Sequence, residues 1–174
     1  MITIITGTNR PASNSRAVAN LYADLLRKRG VACQILDLAD LPADFTTSAL
    51  YDNLGTNEAF NKLSSLIADS DKFVFIVPEY NGSFPGVLKA FIDGLAYPNT
   101  FRNKKAALVG LSSGVQGSGL AMSHLTDIFN YLGMHVLALK PRLAQFEKNF
   151  DGSAITNKLY LELLNQQIEQ FLLF

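Results

Sequence analysis

Hydroxyl, amide and guanidinium groups are concentrated in residues 7–16, which read Gly-Thr-Asn-Arg-Pro-Ala-Ser-Asn-Ser-Arg. The segment lies between an apolar run and a helical pattern. Backbone N–H groups and the partial positive charge at a helix N-terminus attract phosphate groups, and arginine adds charge-assisted hydrogen bonds. We therefore predict a phosphate site in this segment. Its candidate donors are Thr8, Arg10, Ser13, Ser15 and Arg16.

The same segment has a simpler interpretation, in which Ser13 or Asn14 caps the helix and both arginines are solvated. It is not a dinucleotide fingerprint, because Gly7 is the only glycine before the helix and the pattern GxGxxG is absent. The nucleotide-binding loop GxxxxGKS/T is absent as well. A terminal phosphate monoester therefore fits the segment better than a buried pyrophosphate.

Residues 78–86, Pro-Glu-Tyr-Asn-Gly-Ser-Phe-Pro-Gly, have the composition of a rigid turn. Pro78 stiffens the exit from an apolar run, and Asn81-Gly82 is a turn signal. Fixed backbone amides in such a turn can form hydrogen bonds with the edge of a heterocycle, while Tyr80 or a proline lies against its plane. We predict one wall of a planar-ligand site here. The alternative is a well-built connection with an ordinary exposed tyrosine.

Four glycines in residues 110–119 allow the backbone to approach a flat ligand closely, with Ser112 and Ser113 as donors. The alternative is a flexible loop whose glycines serve only turn geometry. The segment also matches GxSxG, the nucleophile elbow of serine hydrolases, with Ser112 as the nucleophile. A serine esterase needs a histidine with an orienting acid, and only His124 and His135 are available. We keep the esterase as the weaker alternative.

Short apolar runs precede these segments and predict five strands. Most of the runs are near-continuous rather than alternating, which is typical of strands buried on both faces of a parallel sheet. The predicted strands are Ile2–Thr6, Ala32–Leu36, Lys72–Val77, Ala106–Leu111 and His135–Leu139. Helical periodicity predicts helices at Ser15–Arg29, Asn57–Asp69, Pro85–Gly94, Gly119–Leu132 and Asn157–Leu173.

Strands and helices alternate along the whole chain, which predicts an α/β fold: a three-layer sandwich around a five-stranded parallel sheet with right-handed crossovers. Ligands of such sheets bind beyond the carboxyl ends of the strands. The three polar segments, residues 7–16, 78–86 and 110–119, follow the first, third and fourth strands. We therefore expect these first, second and third polar segments to meet at one edge of the sheet. Residues 40–56 form the only long irregular stretch, where we expect a surface loop that borders the site.

Composition narrows the classes of protein that the chain can belong to. Fifteen Lys and Arg residues balance fifteen Asp and Glu residues, and 48% of the residues are apolar. A length of 174 residues predicts a single domain over residues 1–174. The neutral charge argues against nucleic-acid binding. Cys33 is the only cysteine, which excludes an intramolecular disulfide and a cysteine-cluster metal site.

The sequence shows no secretory signal and no apolar stretch of the roughly 20 residues that cross a bilayer. We therefore expect a cytoplasmic protein that contacts neither membrane nor nucleic acid.

The three polar segments together resemble the NADPH-dependent FMN reductase family, which includes flavin, quinone, azo-dye and chromate reductases. The resemblance extends from about residue 1 to about residue 140. The family pattern G-S-x-R-x-x-S-x-N is similar to Gly7–Ser15, and P-E-Y-N-G-S-x-P-G-x-L-K is present without a break at Pro78–Lys89. One departure is Asp93-Gly94, which stands where many relatives have Asp-Trp.

The resemblance implies a flavodoxin-like fold with strand order 2-1-3-4-5 and bound FMN. The phosphate contacts that it implies are Thr8, Arg10, Ser13 and Ser15. The residues that it implies along the isoalloxazine, largely through backbone groups, are Pro78, Glu79, Tyr80 and Asn81. The residues that it implies on the other side of the ring are Ser112, Ser113 and Gly114.

The resemblance also implies an activity, the transfer of hydride from NADPH or NADH through FMN to a small oxidised acceptor. No side chain need act as a general acid or base in that reaction, and Tyr80 is the best candidate for contacting the substrate. A homodimer or homotetramer is implied, in which a second subunit helps to shape the site.

Two alternatives within the same fold stay open. One is a flavodoxin-type electron carrier without a substrate of its own, against which Arg10 and the neutral charge argue. The other is a flavodoxin-like protein that has no cofactor.

Overall fold

The central strand β3, Lys72–Pro78, shows why the sheet is covered on both faces. Phe73, Phe75 and Val77 face one layer of helices, while Val74 and Ile76 face the other. All five side chains are fully buried. Apolar residues on both faces of one strand are typical of a parallel sheet between two helical layers.

The computed structural model describes residues 1–174. Besides β3, the strands are β1 Ile2–Thr6, β2 Cys33–Asp37, β4 Lys105–Leu111, β5 His135–Val136 and β6 Arg142–Leu143. The sheet is parallel with the order β2-β1-β3-β4-β5, and β6 also pairs with β4. The predicted α/β sandwich and the predicted strand order are therefore confirmed, with a sixth short strand added.

Helices α1 and α6 cover one face of the sheet, and α3, α4 and α5 cover the other. The helices are α1 Asn14–Arg27, α2 Phe45–Ser48, α3 Glu58–Ala68, α4 Gly86–Asp93, α5 Gly119–Tyr131 and α6 Lys158–Leu173. None of these helices combines the length and hydrophobicity needed to span a membrane. Apart from the last strand and the short helix α2, the predicted boundaries agree with these ranges to within two residues.

The prediction of one last strand over His135–Leu139 is wrong. The ladder with β4 stops at Val136, and the chain returns to β4 only at Arg142. Pro141 has no N–H group and cannot continue a ladder as a donor. Its carbonyl instead accepts a hydrogen bond from the Gly110 N–H at 2.9 Å, which brings the following residues beside the end of β4.

The prediction of a surface loop at residues 40–56 is correct in that most of the stretch is exposed, and wrong in that the stretch is neither irregular nor beside the cleft at the carboxyl ends of β1, β3 and β4. The stretch folds into short helical turns that include α2, and Phe45, Ala49 and Leu50 are buried in the core. The Phe45 ring stacks on Phe60 of α3 with 6.0 Å between ring centroids. An apolar residue every four or five positions anchors this segment, so it closes the core.

Candidate functional site

A cleft of about 250 Å³ lies at the carboxyl ends of β1, β3 and β4. It contains most of the residues that the sequence predicts for a site: Thr8, Arg10, Ser13, Ser15, Pro78, Glu79, Tyr80, Ser112 and Ser113. Three predicted residues, Arg16, Asn81 and Gly114, do not line it. Residues 40–56 do not line it either, and their buried side chains, Phe45, Ala49 and Leu50, pack into the core instead.

Helix α1 begins beside the first polar segment and presents its N-terminus to the cleft. Ser13 caps the helix, since its Oγ accepts a hydrogen bond from the Arg16 N–H at 3.2 Å. Ser15 differs from Ser13, because its hydroxyl is buried and has no hydrogen-bond partner within the protein. A buried hydroxyl without a partner is uncommon and needs an explanation. Ser118 has one as well, but of the two only Ser15 lines the cleft.

The two arginines of this segment have different surroundings. Arg10 lines the cleft and takes part in none of the four ion pairs of the protein. Arg16 is held away from the cleft by Asp37 at the end of β2, with 3.0 Å between Nη1 and Oδ2. Of the two predicted guanidinium contacts, only Arg10 therefore lies where a phosphate could reach it.

The second polar segment forms a tight hairpin beyond β3. Tyr80 and Ser83 exchange backbone hydrogen bonds of 2.7 and 3.0 Å across a two-residue turn. Asn81 and Gly82 form that turn with φ values of 52° and 76°, as Asn-Gly hairpin turns require. The Tyr80 hydroxyl lies 2.9 Å from the nearly fully buried Thr8 hydroxyl, so the hairpin contacts the first segment across the cleft.

Glu79 links the second and third polar segments. Its carboxylate Oε2 accepts a hydrogen bond from the Ser118 N–H at 3.0 Å, just before α5 begins. A carboxylate at a helix N-terminus also interacts favourably with the helix dipole. The Glu79 N–H donates to the Leu111 carbonyl at 3.1 Å. Glu79 therefore fixes the spacing between two walls of the cleft.

The third polar segment folds back tightly on the end of β4. Ser112 Oγ donates to the Gly114 carbonyl at 2.8 Å and accepts from the Gly117 N–H at 2.9 Å. A Cβ atom on Gly110 would lie only 2.3 Å from the Gly117 carbonyl oxygen, so position 110 must be glycine. The segment is thus a well-defined backbone wall rather than a flexible loop.

These contacts exclude Ser112 as the nucleophile of a serine esterase. Its hydroxyl proton is directed at the Gly114 carbonyl, and His124 instead has its Nδ1 atom 2.9 Å from the Ser83 hydroxyl. His135 pairs with Lys105 at the opposite end of β4, roughly 20 Å away along the strand. No histidine therefore activates Ser112.

Two cleft residues, Phe146 and Glu147, lie outside the three polar segments and were missed by the sequence reasoning. They lie in the turn after β6, where the Phe146 N–H donates to the Ser112 carbonyl at 3.0 Å. Glu147 Oε1 accepts a hydrogen bond from Asn14 Nδ2 at 3.2 Å, at the first residue of α1. No motif marks either residue. The available signal is topological, because a strand that ends beside β4 delivers its following turn to the same edge.

A larger groove of about 540 Å³ lies between α4 and α5 and shares no lining residue with the cleft. Its lining is mainly apolar, with Tyr97 and Tyr131 exposed at the rim. Gly94, the departure from the family pattern, does not line this groove. A Cβ on Gly94 would lie 2.6 Å from the Phe60 ring, so the core leaves no room there for a larger residue.

Comparison with known proteins identifies relatives over most of the chain. The family model for NADPH-dependent FMN reductase matches residues 1–145. A 2-hydroxy-1,4-benzoquinone reductase from a Burkholderia species is 31% identical over 82% of this chain and 76% of its own. An FMN-dependent NADPH-azoreductase from Staphylococcus aureus is 30% identical over 92% of this chain and 86% of its own.

A solved structure shares both fold and sequence with this protein. It is FerB, a flavoenzyme NAD(P)H:(acceptor) oxidoreductase from Paracoccus denitrificans, with a TM-score of 0.80 and 26% identity. The similarity covers 98% of this chain and 93% of FerB.

Proposed function

The chain belongs to the NADPH-dependent FMN reductase family, and on that premise we propose that its cleft binds FMN and reduces small oxidised acceptors. One observation carries the assignment of the site. The cleft contains an unpartnered buried hydroxyl at Ser15 and an arginine without an ion pair at Arg10, both beside the start of α1. This donor set suits a phosphate monoester.

The phosphate end of the site would be held by the hydroxyls of Thr8, Ser13 and Ser15 together with Arg10. Ser15 donates the hydroxyl proton that has no acceptor within the protein. Ser13 already accepts from the Arg16 N–H, and its own proton is still available to a ligand oxygen. Arg10 supplies the positive charge that a phosphate needs. Arg16 has no part in this proposal, because Asp37 holds it.

The ring end of the site would be formed by backbone groups of Pro78, Glu79 and Tyr80 on one side and of Ser112 and Ser113 on the other. Their spacing is set by the hydrogen bond from the Ser118 N–H to Glu79. Backbone donors that are already fixed in place stabilise negative charge without reorganising. FMN, when bound, supplies the hydride-transfer chemistry, and the protein supplies binding, orientation and electrostatics.

The acceptor is proposed to be a small conjugated oxidant such as a quinone or an azo compound. Relatives named for a benzoquinone and for azo reduction support this class. Tyr80 is the side chain best placed to contact such a substrate, since it lines the cleft and keeps 40% of its surface exposed. No residue of the cleft is assigned as a general acid or base.

The assembly is proposed to be a homodimer or homotetramer formed through the apolar groove between α4 and α5. Tyr97 is 71% exposed and Tyr131 is 80% exposed at this groove, and large exposed aromatic side chains are enriched in protein interfaces. Light scattering of the purified protein tests this proposal. We also propose a cytoplasmic location, because the NAD(P)H that the reaction consumes is supplied there.

The function is tested by following the visible absorbance of bound flavin without oxygen. NADPH should bleach the FMN-loaded protein, and a subsequent addition of 1,4-benzoquinone should restore the oxidised spectrum. Free FMN at the same concentration is the control for direct reduction by NADPH. A bound flavin that stays oxidised under excess NADPH and excess NADH would exclude a reductase and favour an electron carrier. A flavin that never binds would exclude the cofactor assignment itself.

A further inference from the structure

The third polar segment separates two concave surfaces. Its first residues, Ser112 and Ser113, line the cleft. Its last residues, from Gln116 to Gly119, lead into a different groove of about 410 Å³. The wall of that groove is formed by the first turns of α5 and by the chain that enters β6. A ligand bound over the ring end of the cleft could therefore extend across this segment into the groove.

Two cationic side chains, Lys140 and Arg142, line this groove. Neither takes part in an ion pair. Lys140 Nζ donates to the Leu137 carbonyl at 3.1 Å, and burial lowers the pKa of its ammonium group because the charge is partly desolvated. An anion in the groove would offset that effect, because an opposite charge nearby favours the ammonium form. The cleft itself, by comparison, has Arg10 as its only basic residue.

Arg142 occupies space that a glycine leaves open at the start of α5. A Cβ atom on Gly119 would lie 2.8 Å from Arg142 Nη1, so any other residue at position 119 would displace the guanidinium group. The guanidinium therefore lies against the N-terminal turn of a 13-residue helix, whose dipole adds positive potential. Asp127 is the one acidic residue of the groove and lies two turns further along α5.

Apolar and neutral polar groups accompany these charges. Leu120 lines the groove and is 60% exposed, and Val115 on the third polar segment is 73% exposed. Gln116 and Ser123 line the groove as well and offer hydrogen-bonding groups. Two cations beside an exposed apolar surface match a phosphorylated purine nucleoside, which presents an anion and a flat, largely apolar base.

We propose that this groove binds the adenosine 2′-phosphate of NADPH and makes the enzyme prefer NADPH to NADH. The inference rests on the proposed function, because it takes NAD(P)H as the hydride donor. Lys140 and Arg142 are then the residues that determine donor specificity. NADH carries a hydroxyl group in place of the 2′-phosphate and gains nothing from these two charges.

Nucleotide binding tests the proposal without flavin and without turnover. We expect 2′,5′-ADP to bind the wild-type protein at least about tenfold more tightly than 5′-AMP in calorimetric titrations, since a charge-assisted pair is worth that much. Arg142→Gln should remove this preference. Equal affinities for the two nucleotides would overturn the proposal. Inorganic phosphate that binds as tightly as 2′,5′-ADP would overturn the adenosine part of it.

Steady-state kinetics of the FMN-loaded protein test the same claim on the whole donor. Arg142→Gln and Lys140→Gln should each raise KM for NADPH by about tenfold and leave KM for NADH within about twofold. Lys148→Gln is the matched control, because it removes an exposed charge outside both the cleft and the groove. Equal increases for NADPH and NADH would overturn the 2′-phosphate assignment.

The two levels of the proposal fail in different ways. A loaded wild-type protein that oxidises neither nucleotide contradicts the proposed function. The calorimetric comparison of 2′,5′-ADP with 5′-AMP stays decisive for the groove in that case. The use of two single variants also keeps the test valid if one of them fails to fold.

Discussion

The two ends of the cleft are built in different ways. At the proposed phosphate end the donors are side chains, above all Arg10 and Ser15, beside the start of α1. At the ring end the wall is backbone, and it is held in shape by the hydrogen bond that the Glu79 carboxylate accepts and by the one that the Ser112 hydroxyl donates. Recognition at the first end depends on which side chains are present. Recognition at the second end depends on whether the loops keep their conformation.

This difference predicts two kinds of variant. A change at the phosphate end should weaken the binding of FMN and leave the binding of riboflavin unchanged, because only FMN carries the phosphate. A change at the ring end should affect both flavins equally, because they share the isoalloxazine. Titration of the flavin-free protein with both flavins separates the two classes.

The largest effect is expected from Gly110→Ala at the ring end. The new Cβ would lie 2.3 Å from the Gly117 carbonyl oxygen, and neither backbone can yield without moving the third segment. We expect the free energy of unfolding to fall by about 1–3 kcal/mol. Both flavins should bind at least about tenfold more weakly. Gly86→Ala is the control, since its Cβ would meet no atom within 4 Å. Unchanged binding of both flavins in Gly110→Ala would refute the backbone wall.

Arg10→Ala should have the next largest effect, at the phosphate end. Loss of one charge-assisted contact should weaken FMN binding by roughly tenfold. Riboflavin should bind as it does to the wild type, which fluorescence titration can measure. Equal losses for both flavins would mean that Arg10 acts on the fold rather than on the phosphate.

Glu79→Ala should have a smaller effect that again falls on both flavins. It leaves the Ser118 N–H without its acceptor, which costs about 1 kcal/mol at a helix start. We expect FMN and riboflavin to weaken together by roughly fivefold. Glu79→Gln should restore most of the binding, because its amide oxygen can accept the same hydrogen bond. A loss confined to FMN would instead place Glu79 at the phosphate end.

Arg16→Ala should have the smallest effect, although it removes a charge only six positions from Arg10. It breaks the pair with Asp37, and a partly exposed pair contributes no more than about 1 kcal/mol to stability. The FMN dissociation constant should stay within about twofold of the wild-type value. A loss of FMN affinity as large as that of Arg10→Ala would show that Arg16 leaves Asp37 and binds the phosphate.

The sequence was most informative where structure is local. The strands β1 and β3 are recognisable as apolar runs, and the polar segments after them follow directly. The Asn81-Gly82 turn is likewise readable, because the two residues tolerate the positive φ values that the hairpin needs. The three segments that line the cleft could therefore be predicted from spacing and turn chemistry, while the contribution of Glu79 was implied only by the family resemblance.

Long-range contacts account for the errors. The pairing of Arg16 with Asp37 depends on the register of β2 beside β1, where Thr6 lies opposite Asp37. Phe146 and Glu147 reach the cleft only because the last strand is interrupted before Pro141 and then pairs again with β4. Each contact joins residues far apart in the chain, so no local sequence pattern predicts it.

The affinities of FMN and riboflavin for the flavin-free wild-type protein test the central claim most directly. If the cleft is an FMN site with a phosphate end and a ring end, both flavins bind, and FMN binds at least about tenfold more tightly. Equal affinities would contradict the phosphate end. Failure of both flavins to bind would contradict the site as a whole.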